Sequence, residues 1–455
     1  MFIGREEELE LLRIYLGTAQ KHALLLYGKR RVGKSTLIIK AVENAPCKVI
    51  YFECVQSSVE NNLQLFEEKL KQVFDNKYLH FASFPEAFEF LGSLKEKVIV
   101  IIDEYSYLKD IGNGRYIDSL FQSIVDQMQN NIDLVLLGSY VSIMKELTEY
   151  ENPLFGRFSL VLKVKPFDYK DAARFYPDAT AKSKVENYSI FGGLPFTNAL
   201  LAPQKTLAEN IKALLLNDSS AVRMYLENVL LKELSKVAPA NMILAALANG
   251  KKKYSELESI VSCSNNGALD KQLKKLIDME VIKKVYPINK AGDKKKTFYE
   301  IDDNLVRFYY AYIYAHTDVI ARIGAESYYE LYIKKSIKTF IAHRFEEIAR
   351  EYFMRAVKAG KIKDVYDIGT FWYDVPKEKL NGEFDCVLKH ENSYSFYEVK
   401  YYDRKLTPAD MEQEAEQVHR LAGFVDVEKV GFIALNGFDG QSEQYSQVEV
   451  EDLYK

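Results

Sequence analysis

The segment Tyr27 to Thr36, with the sequence YGKRRVGKST, contains the residues best suited to chemistry on a phosphate. Gly28 and Gly33 bracket a loop whose backbone N–H groups can curl around an anion, because glycine has no side chain to block the approach. Lys34 is placed to reach the terminal phosphates of a nucleotide, and the Ser35 hydroxyl is placed to bind Mg²⁺. The predicted phosphate-binding set is Gly28, Lys29, Arg30, Arg31, Val32, Gly33, Lys34, Ser35 and Thr36.

Such a loop needs a buried strand before it and a helix after it, and the sequence supplies both. Ala23 to Tyr27 is an apolar run typical of a strand, and a helix beginning at Lys34 would point its positive dipole end at the anion. A second run, VIVIIDE, ends in Asp103 and Glu104, at the end of a strand where parallel sheets bind ligands. We expect Asp103 to hold the Mg²⁺ shell and Glu104 to polarise the attacking water. Local capping by this pair is the alternative.

Two further polar residues follow the predicted strands. Ser139 ends the run DLVLLGS, where its hydroxyl can sense the γ-phosphate; capping the next helix explains it equally well. Arg157 lies in the loop NPLFGRF, and a guanidinium is suited to spreading charge on a transferring phosphoryl group. It could act within the chain or from a neighbouring copy in a homo-oligomer, and an ordinary surface ion pair is the alternative.

Two glycine-containing turns are candidates for contacts with the base of the nucleotide. Gly4 and Arg5 precede the first predicted helix and can form a wall beside an adenine; the alternative is an amphipathic first helix without that role. The segment Gly192 to Pro195 ends one helix and begins another, and it can place backbone against the base.

A second set of ionisable residues lies near the carboxyl end of the chain. Glu346 falls in a predicted helix, Asp385 in a strand near residues 382–388, and Glu398 and Lys400 in the strand 395–401. Alternate side chains of a strand share a face, so Glu398 and Lys400 point the same way. Carboxylates around a divalent ion, beside an ammonium group, can generate hydroxide and stabilise a pentacoordinate phosphate. We predict metal ligation by Glu346, Asp385 and Glu398, catalysis by Lys400 and an accessory role for Gln417. A domain that binds without cutting is the alternative.

Residues 240–301 have the outline of a winged helix, with three helices followed by a β-hairpin. The third helix, 268–279, has an apolar stripe and an opposite basic face made of Lys271, Lys274 and Lys275, while the hairpin tip carries Lys294, Lys295 and Lys296. These lysines would neutralise DNA phosphates. Residues that could read bases are few, namely Asn265, Asn266 and Gln272, so a winged helix that binds protein is the alternative.

The composition is that of an ordinary globular protein of several domains. The chain has 455 residues, of which 48% are hydrophobic and 28% charged, and its formal net charge of -4 argues against wholesale binding of polyanions. Its four cysteines, Cys47, Cys54, Cys263 and Cys386, have no metal-ligand spacing. The absence of a signal-like amino terminus and of any long apolar run leads us to expect a cytoplasmic location and no membrane partner.

Taken together, GRE, GKRRVGKS, VIVIIDE, LLGS, LFGR and GGLP resemble the motifs of archaeal-type P-loop ATPases. These belong to the signal-transducing ATPases with numerous domains, which are relatives of AAA proteins. The resemblance covers about residues 1–230. It implies an α/β fold of the ASCE type with a parallel sheet of strand order 5-1-4-3-2, ATP as the nucleotide, and contact between Pro195 and the adenine region.

The rest of the chain is similar to the carboxyl-terminal region that accompanies these ATPases. Its four carboxyl-terminal site residues match positions of the restriction-endonuclease-like fold, the PD-(D/E)xK superfamily: Glu346, Asp385, Glu398 and Lys400. The resemblance implies an α/β nuclease-like domain and a second divalent ion.

We therefore predict four domains: an ATPase core (1–165), a helical lid (166–235), a winged helix (236–318) and a nuclease-like domain (319–455). One hypothesis is a Mg²⁺-dependent ATPase switch coupled to DNA binding and cutting. The other is a regulatory or scaffold ATPase, whose distal domains bind a protein partner or DNA without cutting it.

Overall fold

The computed structural model describes residues 2–111, 114–230, 234, 239–261, 268–375 and 380–455. It divides into two compact units, an amino-terminal unit of residues Met1–Pro166 and a carboxyl-terminal unit of residues Phe167–Lys455. Of the predicted base-reading residues, Asn265 and Asn266 lie outside the described part of the chain. The division into four domains stays a prediction. No helix in the described ranges is both long and apolar enough to cross a membrane.

The amino-terminal unit is built on a parallel sheet of five strands in the order β2-β3-β4-β1-β5. Read from the other edge, this is the order 5-1-4-3-2, so the predicted α/β fold is confirmed. Every residue of the two strands β3 and β4 is buried, which explains why their sequences are apolar apart from Asp103 and Asp133. The five strands are β1 (His22–Tyr27), β2 (Lys48–Glu53), β3 (Val98–Asp103), β4 (Ile132–Gly138) and β5 (Leu160–Lys163).

Helices flank this sheet, and several begin at capping residues. The Ser58 and Ser83 hydroxyls each accept a backbone N–H bond at the start of a helix, as an N-cap does. The seven helices of the described part of this unit are α1 (Glu6–Tyr15), α2 (Lys34–Val42), α3 (Val59–Phe74), α4 (Phe84–Gly92), α5 (Tyr105–Ile111), α6 (Gly114–Gln127) and α7 (Val141–Glu146).

The carboxyl-terminal unit contains a three-stranded and a five-stranded sheet. The small sheet has the order β6-β8-β7 and is antiparallel. The large sheet has the order β13-β12-β11-β10-β9, antiparallel among β9, β10 and β11 and parallel from β11 to β13. These strands are β6 (Lys252–Lys253), β7 (Ile282–Val285), β8 (Phe298–Ile301), β9 (Asp367–Val375), β10 (Leu380–Lys389), β11 (Tyr394–Lys400), β12 (Val427–Ala434) and β13 (Ser446–Glu449).

Helices make up most of the remainder of this unit. They are α8 (Tyr169–Ala172), α9 (Ala181–Phe191), α10 (Pro195–Asn198), α11 (Leu207–Ile211), α12 (Ala221–Met224), α13 (Ala240–Ala248), α14 (Tyr254–Val261), α15 (Ala268–Asp278), α16 (Asn304–Tyr312), α17 (Thr317–Tyr328), α18 (Ile337–Lys358) and α19 (Pro408–Leu421). Three π-helical segments lie among them, at Lys212–Leu216, Tyr225–Leu230 and Tyr329–Ile333. Short 3₁₀ turns occur at Ala173–Phe175, Ile288–Lys290, Lys294–Lys296, Tyr314–His316 and Val450–Tyr454.

Helices α13 to α15 and the hairpin β7–β8 form the predicted winged-helix outline. On α15, Leu269, Leu273 and Leu276 are buried. The three lysines of the opposite face are exposed: Lys271, Lys274 and Lys275. The apolar and basic faces read from the sequence are therefore present in the structure.

The hairpin tip, which we call the wing (residues 286–297), packs against strand β9. Ile288 is buried in one hydrophobic cluster with Phe371 and Tyr373. The Asn289 side chain donates to the Trp372 carbonyl at 2.7 Å and accepts from the Trp372 N–H at 3.1 Å. The Lys296 ammonium lies 3.6 Å from the centre of the Trp372 ring. Sequence analysis treated the wing as a free basic tip, and it missed this contact because the partner strand is about 80 residues away.

Candidate functional site

The phosphate-binding loop joins β1 to α2. A side chain at Gly28 would be impossible, since a Cβ there would lie 2.1 Å from the Val164 carbonyl oxygen. Gly33 has a φ of 92°, a left-handed conformation that favours glycine, and α2 begins at the next residue. The two glycines thus let the loop pass close to the residue after β5 and turn directly into the helix.

Lys34 lies inside this loop and is only 5% exposed. Its ammonium donates to the Gly28 carbonyl at 3.0 Å, to the Lys29 carbonyl at 3.3 Å and to the Ser139 hydroxyl at 3.0 Å. The cation is therefore held at the mouth of the loop and tied to the end of strand β4.

The two carboxylates at the end of β3 face different donors. Asp103, 3% exposed, accepts a bond from the Ser35 hydroxyl at 2.5 Å. Glu104 has a φ of 51°, which is uncommon outside glycine and marks a strained residue. Its carboxylate accepts from the Ser139 hydroxyl at 2.5 Å and from the Ser139 N–H at 3.2 Å. Four of the predicted site residues therefore form two short hydrogen-bonded pairs, and Lys34 joins one of these pairs.

Ser139 does not cap helix α7. The N-cap position is Tyr140, without a side-chain capping bond, and the Ser139 hydroxyl instead lies between Lys34 and Glu104. This serine occupies a position that can respond to charge at both partners.

The donors and acceptors present fit a nucleotide with Mg²⁺. Mg²⁺ prefers oxygen ligands and binds through a few protein groups together with phosphates and waters, and a hydroxyl beside a carboxylate supplies such groups at Ser35 and Asp103. The buried ammonium of Lys34 and the amino end of α2 supply positive charge for phosphate oxygens. Mg²⁺ at this point would neutralise phosphate charge and orient the substrate.

Sequence analysis missed three side chains beside this cleft, namely Tyr51, Tyr107 and Glu53. The Tyr51 hydroxyl on β2 donates to Asp103, and the Tyr107 hydroxyl accepts a bond at 2.5 Å from Arg30, which was predicted as part of the loop. Glu53 lies opposite Asp103 in the sheet, and burial raises the pKa of its carboxyl, with Asp103 and Glu104 adding to the effect. The sequence contained a signal for these residues: β2 ends in YFE, and the carboxyl ends of parallel strands lie together, so Glu53 comes next to the predicted carboxylates.

Gly4 and Arg5 precede helix α1, and the Arg5 side chain bonds to the backbone of the loop. The Arg5 guanidinium donates to the Val32 carbonyl at 3.3 Å, to the Lys165 carbonyl at 2.6 Å and to Glu8 at 2.9 Å. Arg5 therefore braces the loop against the segment after β5. Among the other predicted loop residues, Val32 is buried, Lys29 is half-buried, and Arg31 and Thr36 are exposed.

Arg157 lies away from the phosphate-binding loop. Its guanidinium forms a bidentate ion pair with Asp126, at 2.9 and 3.0 Å, and donates to the Pro153 carbonyl. Two residues later, the Ser159 N–H donates to Ala23, next to the first residue of β1. Arg157 is thus near the amino ends of the strands, whereas the loop follows the carboxyl end of β1. Pro195, the residue predicted to contact the adenine region, begins α10 in the carboxyl-terminal unit.

The second predicted constellation lies on the large sheet and on α18. Cys386 pairs with Tyr397, so the adjacent residues Asp385 and Glu398 are neighbours on β10 and β11. Burial raises the pKa of the Asp385 carboxyl to about 7, with Glu346 and Glu383 adding negative charge. Burial likewise raises the pKa of Glu398.

Lys400 is held between two carboxylates. Its ammonium lies 3.2 Å from Glu398 and 2.7 Å from Glu414 of α19. Burial lowers the pKa of Lys400, but Glu398 and Glu414 outweigh this and raise it overall. Glu414 was missed by sequence analysis, whereas the predicted accessory residue Gln417 accepts a bond from Tyr373 at 3.0 Å.

The carboxylates of this second cluster interact electrostatically, but they are not arranged as a preformed metal-binding site. Within the described ranges, no group of three or more His, Cys, Asp or Glu side chains is arranged to hold a metal ion. Glu346 also pairs with His343 at 3.6 Å, and this contact raises the pKa of the histidine.

Comparisons with known proteins identify an ATPase domain in the amino-terminal part of the chain. Residues 2–197 match a family model described as an ATPase domain predominantly from Archaea. Residues 309–417 match a model described as archaeal and bacterial proteins of unknown function. A short ATP-binding protein of Methanocaldococcus jannaschii, otherwise uncharacterised, is 46% identical over 48 residues, covering 10% of this chain and 81% of the relative.

Two longer relatives extend the likeness. A solved structure titled a Walker-type ATPase of Pyrococcus abyssi has a TM-score of 0.51 and 24% identity, covering 68% of this chain and 96% of that one, and so supports the fold. An uncharacterised protein of Methanocaldococcus jannaschii is 30% identical over 100% of this chain and 99% of its own length. With this whole-length match and the matched ATPase domain, the chain belongs to a family of archaeal-type proteins with an amino-terminal P-loop ATPase domain, and it is an ATPase.

Proposed function

We propose that the amino-terminal unit is a Mg²⁺-dependent ATP switch whose hydrolysis centre is the cleft between the phosphate-binding loop and the ends of β3 and β4. The observation that carries this proposal is the pair of contacts at Ser139, which accepts from Lys34 and donates to Glu104. One hydroxyl thereby links the phosphate-binding cation to the carboxylate suited to act as a base.

Each side chain then has a separate task. Lys34 would neutralise the terminal phosphates, and Ser35 with Asp103 would hold Mg²⁺. Glu104 would orient and deprotonate the attacking water, and it must exchange its bond with Ser139 to do so. Ser139 is therefore suited to report the presence of the γ-phosphate.

The Arg157 finger is proposed only in trans. The structure holds the guanidinium near the amino ends of the strands, bound to Asp126, so action within one chain would require it to leave that ion pair. A neighbouring copy could present it to the cleft, as arginine fingers do in other phosphoryl-transfer proteins.

The test of the hydrolysis centre is Glu104→Gln, with ATP binding and phosphate release measured on the full chain. Binding should persist, while hydrolysis should fall by a factor of roughly 10² to 10⁴, the usual contribution of a general base. Glu43→Gln, at the exposed residue that follows α2, is the matched control and should leave both quantities unchanged. Wild-type hydrolysis by Glu104→Gln would remove this residue from the role of base.

A second candidate function concerns nucleic acid at the carboxyl-terminal unit. We propose that DNA phosphates bind to the exposed lysines of α15 and that the acidic cluster on the large sheet is a metal-dependent nuclease centre. The first part is supported by three exposed lysines opposite a buried apolar stripe. The second is supported by the juxtaposition of Asp385, Glu398 and Lys400 on neighbouring strands.

A regulatory ATPase with distal binding modules is the alternative, and the packing of the wing against β9 favours it. The wing already contacts Trp372 of the same unit, so less of its surface is open to DNA. Cleavage assays with supercoiled DNA and Mn²⁺, with and without ATP, separate the two proposals. We also propose a cytoplasmic location.

A further inference from the structure

Tyr51 lies on the edge strand β2, and it faces away from the main core of its unit. Its neighbours Ile50 and Phe52 are buried in the hydrophobic cluster of this unit, whereas Tyr51 is only half-buried. Alternate side chains of a strand point to opposite faces, so Tyr51 shares its face with Glu53. The phenol is therefore not needed to fill the cluster that receives Ile50 and Phe52.

The register of the sheet brings this phenol to the end of β3. Tyr51 pairs with Ile101, and Glu53 pairs with Asp103, so Asp103 lies two residues further along β3 than the partner of Tyr51. Ile101 and Asp103 share a face because they are two residues apart. The long tyrosine side chain spans that step diagonally, and its hydroxyl donates to Asp103 Oδ2.

Asp103 thus accepts three hydrogen bonds. Oδ2 receives both the Tyr51 hydroxyl and the Ser35 hydroxyl, the latter at 2.5 Å. Oδ1 receives the Glu104 N–H at 2.8 Å. Bonds on both oxygens fix the rotation of the carboxylate, and Tyr51 supplies the bond that comes from the neighbouring strand β2.

We propose that Tyr51 is a positioning residue of the Mg²⁺ site. Its hydroxyl holds the Asp103 carboxylate in the orientation in which Asp103 accepts a hydrogen bond from the Ser35 hydroxyl. The inference rests on the proposed role of Asp103 toward Mg²⁺. Groups that orient a metal ligand are worth roughly 10- to 100-fold in metal affinity. Tyr51 does not touch the phosphate-binding loop through this bond, so it acts on the metal-dependent part of nucleotide binding.

The experiment is a Mg²⁺ titration of the full chain at a fixed concentration of ribose-labelled fluorescent ADP. For Tyr51→Phe, the Mg²⁺ concentration at half-saturation should rise about tenfold. Affinity for the nucleotide without Mg²⁺ should stay within twofold of the wild type, because Lys34 and the loop are unchanged. A merely structural tyrosine would lower the melting temperature without moving the Mg²⁺ midpoint.

Two further variants make the outcome decisive. Tyr105→Phe removes a buried phenol that donates to Asp118 at 3.0 Å, so it controls for loss of a tyrosine–carboxylate bond elsewhere in the unit. It should leave the Mg²⁺ midpoint in place. Asp103→Asn should raise the midpoint at least as much as Tyr51→Phe.

The possible failures are distinguishable. If Asp103→Asn shifts the midpoint but Tyr51→Phe leaves it unchanged or lowers it, the role of Tyr51 is overturned and that of Asp103 stands. If Asp103→Asn has no effect, both the inference and the proposed Mg²⁺ site fail. An equal shift in Tyr105→Phe would also overturn the inference, since the effect would then be general destabilisation.

Discussion

The two carboxylate clusters of this molecule differ in what surrounds the negative charge. In the ATPase cleft, Asp103 accepts bonds from two hydroxyls and one backbone N–H. In the carboxyl-terminal cluster, burial raises the pKa of the Asp385 carboxyl to about 7, and the negative charges of Glu346 and Glu383 add to the effect. Asp103 therefore has a hydrogen-bond donor on each oxygen, whereas at Asp385 burial and like charges outweigh the positive charges of Arg350 and Lys251.

This difference predicts how each cluster responds to a cation. A carboxylate fixed by neutral donors is already oriented before a metal arrives, so binding costs little rearrangement. Carboxylates that repel one another are relieved by a proton or a metal ion, and the folded state is then stabilised by mass action. The ATPase cleft should therefore be pre-organised, while the second cluster should gain stability when it binds a cation.

The largest expected effect on ligand binding belongs to Lys34→Ala in the pre-organised cleft. This change removes a buried ammonium from the mouth of the loop. Loss of charge-assisted bonds to phosphate should cost about 3 kcal/mol, or roughly 100-fold in ATP affinity by calorimetry. Lys40→Ala, which removes an ammonium of α2 that pairs with Glu43 just after the helix, is the matched control and should bind ATP normally. Retained affinity in Lys34→Ala would contradict the assignment of the loop.

The next prediction tests whether the second cluster is a catalytic metal site. Asp385→Asn should abolish stabilisation of the chain by Mn²⁺ and any DNA cutting, because a ligand is lost. Lys400→Ala should keep the stabilisation by Mn²⁺ but reduce cutting by roughly 10² to 10³, since the cation that balances transition-state charge is gone. Melting curves with and without Mn²⁺, beside cleavage of supercoiled DNA, measure both.

Asp367→Asn, an exposed change on β9, is the control for these two variants. A wild-type chain that cuts no DNA and gains no stability from Mn²⁺ would identify the cluster as a binding surface or a structural charge network.

The fold of the ATPase unit was predictable because its signals are local. The runs that became β1, β3 and β4 are mostly apolar, and the glycine spacing of the loop marks the turn between β1 and α2. The strand order came from a family resemblance and was confirmed. The carboxylates Asp103 and Glu104 were found because they end such a strand.

The contacts that sequence analysis missed depend on register and tertiary packing. Nothing local to Tyr51 shows that it lies opposite Ile101 and reaches Asp103. Arg157 was a reasonable candidate by residue type, but only the structure shows its pairing with Asp126. Glu414 approaches Lys400 because α19 packs on the large sheet, and spacing in the sequence carries no trace of that approach.

A third prediction concerns pH and the repulsion around Asp385. Its folded-state pKa is raised from 3.8 to about 7, so the unfolded chain ionises this carboxyl first. Stability from the protonated carboxyl is present below about pH 4 and is lost as pH rises through 7. Asp385→Asn should match the wild type near pH 4 and be more stable by about 2 kcal/mol at pH 8, after allowance for partial exposure.

Hydrogen exchange of the backbone amides in β10 and β11 measures this difference within the full chain, without mixing in the ATPase unit. Asp367→Asn again serves as the control and should follow the wild type at both pH values. If the Asp385→Asn variant is less stable than the wild type at pH 8, the carboxylate is held by favourable contacts, and the contrast with Asp103 is lost.

The smallest effect is expected for the lysines that would bring DNA to the second cluster. Changing Lys271, Lys274 and Lys275 to Glu should weaken DNA binding and reduce the slope of log K against log salt by about 0.9 for each lost phosphate contact. The same change at the wing, Lys294, Lys295 and Lys296, should reduce the slope by less. Of these three lysines, only Lys294 and Lys295 are exposed, because Lys296 lies over the Trp372 ring.

The two triple variants carry the same change in charge, so a general electrostatic effect of the carboxyl-terminal unit would lower both slopes equally. A larger loss from α15 identifies that helix as the DNA contact and the wing as a brace on β9. A larger loss from the wing would mean that Asn289 and Lys296 release Trp372 when DNA binds. Unchanged slopes in both variants would assign the winged helix to protein contacts. The proposal that its lysines bring DNA to the acidic cluster would then be wrong.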